Sequence, residues 1–119
     1  MSRRLLRIND LIRETISELI SRQVKDPRLA PVVTVTDVEA SPDLRQARIF
    51  VSVLGTPEEQ TSALSGLRSA TKFIRHELGE RIDLKRVPEL TFILDDSLER
   101  GARILALLED VASESDSRS

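Results

Sequence analysis

Residues 31–55 read PVVTVTDVEASPDLRQARIFVSVLG. The opening PVVTVTDVEA is rich in β-branched residues and predicts a strand from about Val32 to Glu39. SPDL follows, with Pro42 suited to the second position of a tight turn and Asp43 to the third. RQARIFVSVLG then alternates. Ala47, Ile49, Val51 and Val53 share one face, while Gln46, Arg48, Phe50 and Ser52 share the other. One side looks buried and the other partly wet, which predicts an antiparallel hairpin with helices on only one of its faces.

The flanking segments supply those helices. In LLRINDLIRETISELISRQV, Leu5, Ile8, Leu11, Ile12, Ile16, Leu19 and Ile20 gather on one broad helical face. Arg3, Arg7, Asp10 and Glu14 lie opposite. The helix should end near VKDPRL, because Pro27 disfavours helical geometry at Asp26. In GTPEEQTSALSGLRSATKFIRHELG, Thr56 is a cap, Pro57 suits the first helical position and Glu59 completes a capping box. Ala63, Leu64, Leu67, Ala70, Ile74 and Leu78 form its inward stripe, and Gly79 is expected to terminate it. PELTFIL predicts a third strand with Leu90, Phe92 and Leu94 alternating, parallel to the second because a helical crossover joins them. DDSLERGARILALLED predicts a closing helix started by Asp96 or Ser97, and ASESDSRS reads as a disordered acidic tail. The expected fold is α+β, a small domain with a three-stranded mixed sheet.

A chain of 119 residues suggests one domain able to bury a real core. It has no cysteine, so disulfides and thiolate metal sites are excluded. No signal-peptide pattern opens it, and no apolar run approaches the roughly 20 residues that span a bilayer. The net charge of −2 is unevenly spread. Residues 95–119 carry seven acids against three arginines, a net of −4, and residues 1–94 carry fifteen bases against thirteen acids, a net of +2. From Arg68 to Arg86 there are six bases against three acids. Such a body can bind phosphates through its local field despite the overall sign.

Catalysis finds little support. His76 is the one histidine, and no serine sits in a G-x-S-x-G elbow. Asp95 and Asp96 could hold Mg²⁺, but acids just before a helix also favour its positive dipole end. Gly55, Gly66, Gly79 and Gly101 stand alone, without a phosphate-loop pattern. On a helix Lys72, Arg75 and His76 share a face, joined by Arg68 if the helix is continuous. Composition alone reads that stripe as a solvated face as readily as a phosphate-binding one. Phe50, Phe73 and Phe92 are the only aromatics, too few for a base-stacking platform, so recognition would rest on shape and backbone charge. A protein-interaction module, using the acidic C-terminal section and the wet sheet face, is the competing reading.

Three stretches in register, VKDPRL, SPDLRQARIFVSVLG and RVPELTFILDDSLERGARI, resemble the bacterial ribosome-binding factor A proteins over residues 4–108. The resemblance implies a KH-like domain of type II topology, α-β-β-α-α-β, over residues 1–110, plus a C-terminal helix and a tail over 111–119. It implies a monomeric, cytoplasmic ribosome maturation factor without catalysis, metal or cofactor. Such a protein binds the free or immature small ribosomal subunit and its ribosomal RNA late in assembly, takes part in rRNA processing and cold adaptation, and is released with the help of an assembly GTPase. On this reading Arg68, Lys72, Arg75, Arg81, Lys85 and Arg86 are expected to contact phosphates. Arg45 and Arg48 are weaker candidates, as are Arg3, Arg4 and Arg7. Where relatives have an Ala-x-Gly kink, this chain has Ala70, Thr71 and Lys72. Lysine at positive φ costs roughly 1 kcal/mol or more, so the expected bend keeps Lys72 at negative φ.

Overall fold

The computed structural model describes residues 2–24, 26–29, 32–97 and 103–111. Helix α1 (Arg3–Arg22) is followed by a 3₁₀ turn (Pro27–Leu29), strands β1 (Val32–Ala40) and β2 (Gln46–Leu54), helices α2 (Pro57–Ser69) and α3 (Thr71–Arg81), and strand β3 (Glu89–Leu94). Residues 103–111 are also helical and are called α4 below. The sheet order is β1-β2-β3, with β1 and β2 antiparallel and β2 and β3 parallel. This is the α+β fold with a three-stranded mixed sheet that the periodicities predict. The expected acidic tail lies, apart from helical Val111, outside the described residues.

The core fills one side of the sheet. Ile12, Ile16 and Leu19 of α1, Ile49 and Val51 of β2, Leu67 of α2, Ile74 and Leu78 of α3 and Phe92 of β3 are all but sealed from solvent. Burying each such side chain stabilises the fold by about 1.5–3 kcal/mol before conformational entropy is subtracted. The predicted α1 stripe is too wide at one point. Leu11 remains 44% exposed, because it lies at the edge of the face that α1 turns to the sheet. Leu94, at the end of β3, is likewise exposed rather than buried.

Polar groups fix how α1 and the strands meet. The Ser2 hydroxyl oxygen accepts the Leu5 N–H at 3.1 Å and caps α1. Buried Asn9 accepts the Ala40 N–H at 3.0 Å, tying the first half of α1 to the end of β1. The register shifts between Val35 and Asp37, so Val35 pairs with Val51 and Val38 with Ile49. This bulge returns Val38 to the core side after three residues instead of two.

The capping box forms as predicted. Thr56 Oγ1 accepts the Glu59 N–H at 3.1 Å and Glu59 Oε1 accepts the Thr56 N–H at 3.0 Å. The helical region then bends at Ala70, with φ −88° and ψ 0°. Its N–H is shared between the carbonyls of Gly66 and Leu67 at 3.0 and 3.1 Å. These angles are open to any L-residue. Lys72 lies within α3 at negative φ, as expected; Leu44 is the one non-glycine at positive φ among the described residues. Gly79 does not stop the helix. α3 runs on to Arg81 and ends at Ile82. A Cβ on Gly79 would come within 2.9 Å of Val87 Cγ2, so the glycine serves close packing of the returning chain.

Candidate nucleic-acid interface

The hairpin turn, the start of α1 and the α3–β3 connection converge at one end of the sheet. The turn is closed by the Leu44 N–H donating to the Ser41 carbonyl at 2.9 Å, with Pro42 and Asp43 between them. The Ser41 hydroxyl donates to Asp43 Oδ1 at 2.7 Å, and this bond, helped by the Arg45 N–H, holds the Asp43 carboxyl below the usual carboxylate range. Leu44 is forced to φ 58°, a conformation that costs a side-chain-bearing residue roughly 1 kcal/mol or more. In return its side chain packs against the core. The Glu89 N–H donates to the Arg45 carbonyl at 2.9 Å and brings the α3–β3 connection alongside the turn.

Two adjoining depressions result. One, of about 560 Å³, has Arg4, Arg45, Lys85 and Arg86 on its walls and Leu5, Ile8 and Leu44 beneath. The other, of about 730 Å³, is rimmed by Arg3, Arg4, Arg7, Arg81 and Lys85 over Ile8, Leu11, Leu44, Ile82 and Leu84. Arg4, Ile8, Leu44 and Lys85 belong to both, so they form one cleft with an apolar floor and a cationic rim.

The predicted cations fall into three groups. Arg45, Arg81, Lys85 and Arg86 line the cleft, with Arg3, Arg4 and Arg7 from α1. Arg68 and Lys72 are exposed on α2 and α3 and line no part of it. Arg48 and Arg75 are already engaged. Arg48 donates to Glu39 Oε2 at 2.6 Å and lies 5.9 Å from the Phe50 ring centroid. Arg75 donates from Nε to the Pro88 carbonyl and from Nη2 to the Val87 carbonyl, each at 3.0 Å. The stripe predicted from Lys72 through Arg75 to His76 is therefore divided, because Arg75 bends toward the segment before β3. Within the cleft, Arg81 meets Glu77 and Arg45 meets Asp43, each at 3.7 Å. Arg4, Lys85 and Arg86 have no ion pair or side-chain hydrogen bond among the described residues. The cleft itself is invisible to helical spacing, since three separate segments build it.

The other singled-out motifs are structural. In VKDPRL, the Asp26 carboxylate receives Arg28 Nη2 at 2.6 Å and Nε at 3.0 Å. That arginine holds the Asp26 carboxyl below its ordinary range. The pair rests on α2 where Gly66 leaves room: a Cβ there would sit 3.3 Å from Arg28 Cβ. Asp95 Oδ2 accepts the Thr36 hydroxyl at 2.7 Å, and Oδ1 accepts the Ser97 N–H at 2.9 Å. It thus ties the end of β3 to the bulge of β1 and holds the Ser97 N–H. No cluster of three potential metal ligands occurs among the described residues.

A family model described as ribosome-binding factor A matches residues 4–108. The chain belongs to the ribosome-binding factor A family. Ribosome-binding factor A of Dictyoglomus thermophilum is 49% identical over 114 residues, covering 96% of this chain and 95% of its own. The crystal structure of ribosome-binding factor A from Thermus thermophilus superposes with a TM-score of 0.68 at 26% identity, over 76% of this chain and 93% of that one. A homology model of the Thermus thermophilus protein, fitted into a cryo-EM map of a 30S complex, gives a TM-score of 0.62 at 26% identity, over 74% of this chain and 91% of that one. The KH-like topology implied by the family motifs is the one the structure shows: apart from the 3₁₀ turn, its element order through β3 is α-β-β-α-α-β. Among the described residues no helix is long and apolar enough to cross a membrane.

Proposed function

We propose that this chain is a non-catalytic assembly factor that binds the free or immature small ribosomal subunit through its RNA. Family membership supports the partner, since a relative of the same fold was fitted into a map of a 30S complex. The observation that carries the RNA contact is the cleft, where Arg4, Lys85 and Arg86 stand without acidic partners. A cation already paired must break that pair to meet a phosphate; an unpaired one need not. Arg4, Arg45, Lys85 and Arg86 are the principal phosphate contacts on this reading, and Arg3, Arg7 and Arg81 extend them. Arg68 and Lys72 form a second patch beside the bend at Ala70. Arg48 and Arg75 contribute less, because their donors are in use. The protein acts in the cytoplasm as a monomer on each subunit during late maturation and rRNA processing, supports growth in the cold, and is released with the help of an assembly GTPase.

Cosedimentation tests this reading. Binding to immature small subunits should exceed binding to complete ribosomes and weaken as salt rises. Equal binding to complete ribosomes, or none at low salt, contradicts it.

A further inference from the structure

Of the three phenylalanines, Phe73 is the one left open to solvent. Phe92 is sealed in the core and Phe50 is half-buried with the Arg48 guanidinium over its ring, but Phe73, in the first turn of α3, is 41% exposed. It helps to line a hollow of about 250 Å³ beside the bend at Ala70. Gln23, Val24 and Asp26, from the end of α1 and the segment after it, complete the hollow with Ser69 and Ala70. It shares no residue with the cleft. The eleven residues of α3 put about 16 Å between the bend and Arg81 at the cleft. A ring left in water at the mouth of a small hollow offers a flat apolar partner a face to lie on.

The groups around Phe73 match a nucleotide. Hydrogen bonding continues through the bend, since the Ile74 N–H donates to the Ala70 carbonyl at 2.9 Å. Ser69 and Phe73 therefore stand one turn apart in one row, with Arg68 and Lys72 one turn apart in the row beside it. Neither cation has an ion pair or side-chain hydrogen bond among the described residues. The Gln23 amide and the Ser69 hydroxyl are likewise uncommitted there. Each can donate and accept, as the edge of a base requires. Asp26 is already held by Arg28 and does not stand as a bare anion in the hollow. One ring is no platform for a run of bases, but it can hold one. We propose that Phe73 stacks a single unpaired base of the ribosomal RNA in this hollow, with the adjoining phosphates on Arg68 and Lys72. The proposal rests on the RNA-binding reading above and adds a contact that charge alone does not supply. A base inside a duplex is covered on both faces by its neighbours, so the hollow selects RNA that is single-stranded at this point.

The chain has no tryptophan or tyrosine, so Phe73→Trp in the full chain puts a lone fluorophore at the hollow. A mixed-sequence single-stranded RNA octamer should quench its emission. The same strand annealed to its complement should quench it far less. Affinity for immature small subunits across a salt series gives the second readout. Phe73→Leu keeps an apolar side chain and loses the flat ring. It should bind roughly five- to tenfold more weakly at every salt concentration, as expected for one lost stack. The slope of log affinity against log salt should not change, because stacking releases no counterions. Phe73→Trp should recover most of the loss. Three results overturn the proposal while leaving the cleft reading in place. They are a Phe73→Leu chain that binds subunits like the parent, a loss that comes with a changed salt slope, and a fluorophore that the single strand leaves unquenched or the duplex quenches equally. A parent chain that binds no subunits at low salt overturns both.

Discussion

Arg75 donates its Nε–H to the carbonyl oxygen of Pro88 at 3.0 Å. A side chain that helical spacing places on one stripe with Lys72 and His76 is in fact a strut between α3 and the approach to β3. Arg75→Ala should lower stability by about 1–3 kcal/mol, because it leaves two carbonyls without their charged donor. Urea denaturation measures the loss. The salt dependence of subunit binding should stay close to that of the parent chain.

Charge reversal in the cleft should behave in the opposite way. Lys85→Glu with Arg86→Glu leaves every hydrogen bond described above intact, so its stability should match the parent within about 0.5 kcal/mol. Its affinity for immature subunits should fall at least tenfold at low salt. The slope of log affinity against log salt should become shallower by about one unit for each phosphate the variant no longer neutralises. Arg68→Glu with Lys72→Glu is the comparison, and a smaller loss is expected from it.

The Asp26–Arg28 clamp makes stability depend on pH. The folded-state pKa of Asp26 is depressed by the Arg28 hydrogen bonds. Its contribution is therefore present in full above the ordinary aspartate pKa, and is lost as pH falls through the lower folded value. Asp26→Asn should melt below the parent at pH 7, and the gap should narrow in acid below the usual carboxylate range. Paired thermal melts across pH 2–7 give the comparison.

Asn9→Ala should be costly despite the small change in volume. Asn9 is buried and satisfies the Ala40 N–H. Removing it orphans that donor at the edge of the core, for a loss of about 1–3 kcal/mol. Calorimetry of the variant checks this.

The fold was legible because its signals are local. The alternation from Ala47 to Val53, the turn at Pro42 and Asp43 and the capping box at Thr56 and Glu59 each need only a few neighbouring residues. What escaped was set by tertiary contact. The β1 bulge is visible only through the partners of Val35 and Val38, and Gly79 looked like a stop because Val87 is eight residues away in sequence. The cleft is legible in part. Arg45, Arg81, Lys85 and Arg86 stand out in the sequence by charge, but their meeting with Arg4 depends on how α1 crosses the sheet. That Arg75 and Arg48 are engaged within the chain is hidden in the sequence for the same reason, since their acceptors lie on other segments.

Crosslinking the protein to immature small subunits, with both partners of each link mapped, bears most directly on the central claim. The account predicts that ribosomal RNA links fall on peptides containing Arg4, Arg45 and residues 81–86. Links confined to the Asp37–Glu39 side of the sheet or to α4, with the cleft peptides unmodified, would contradict it.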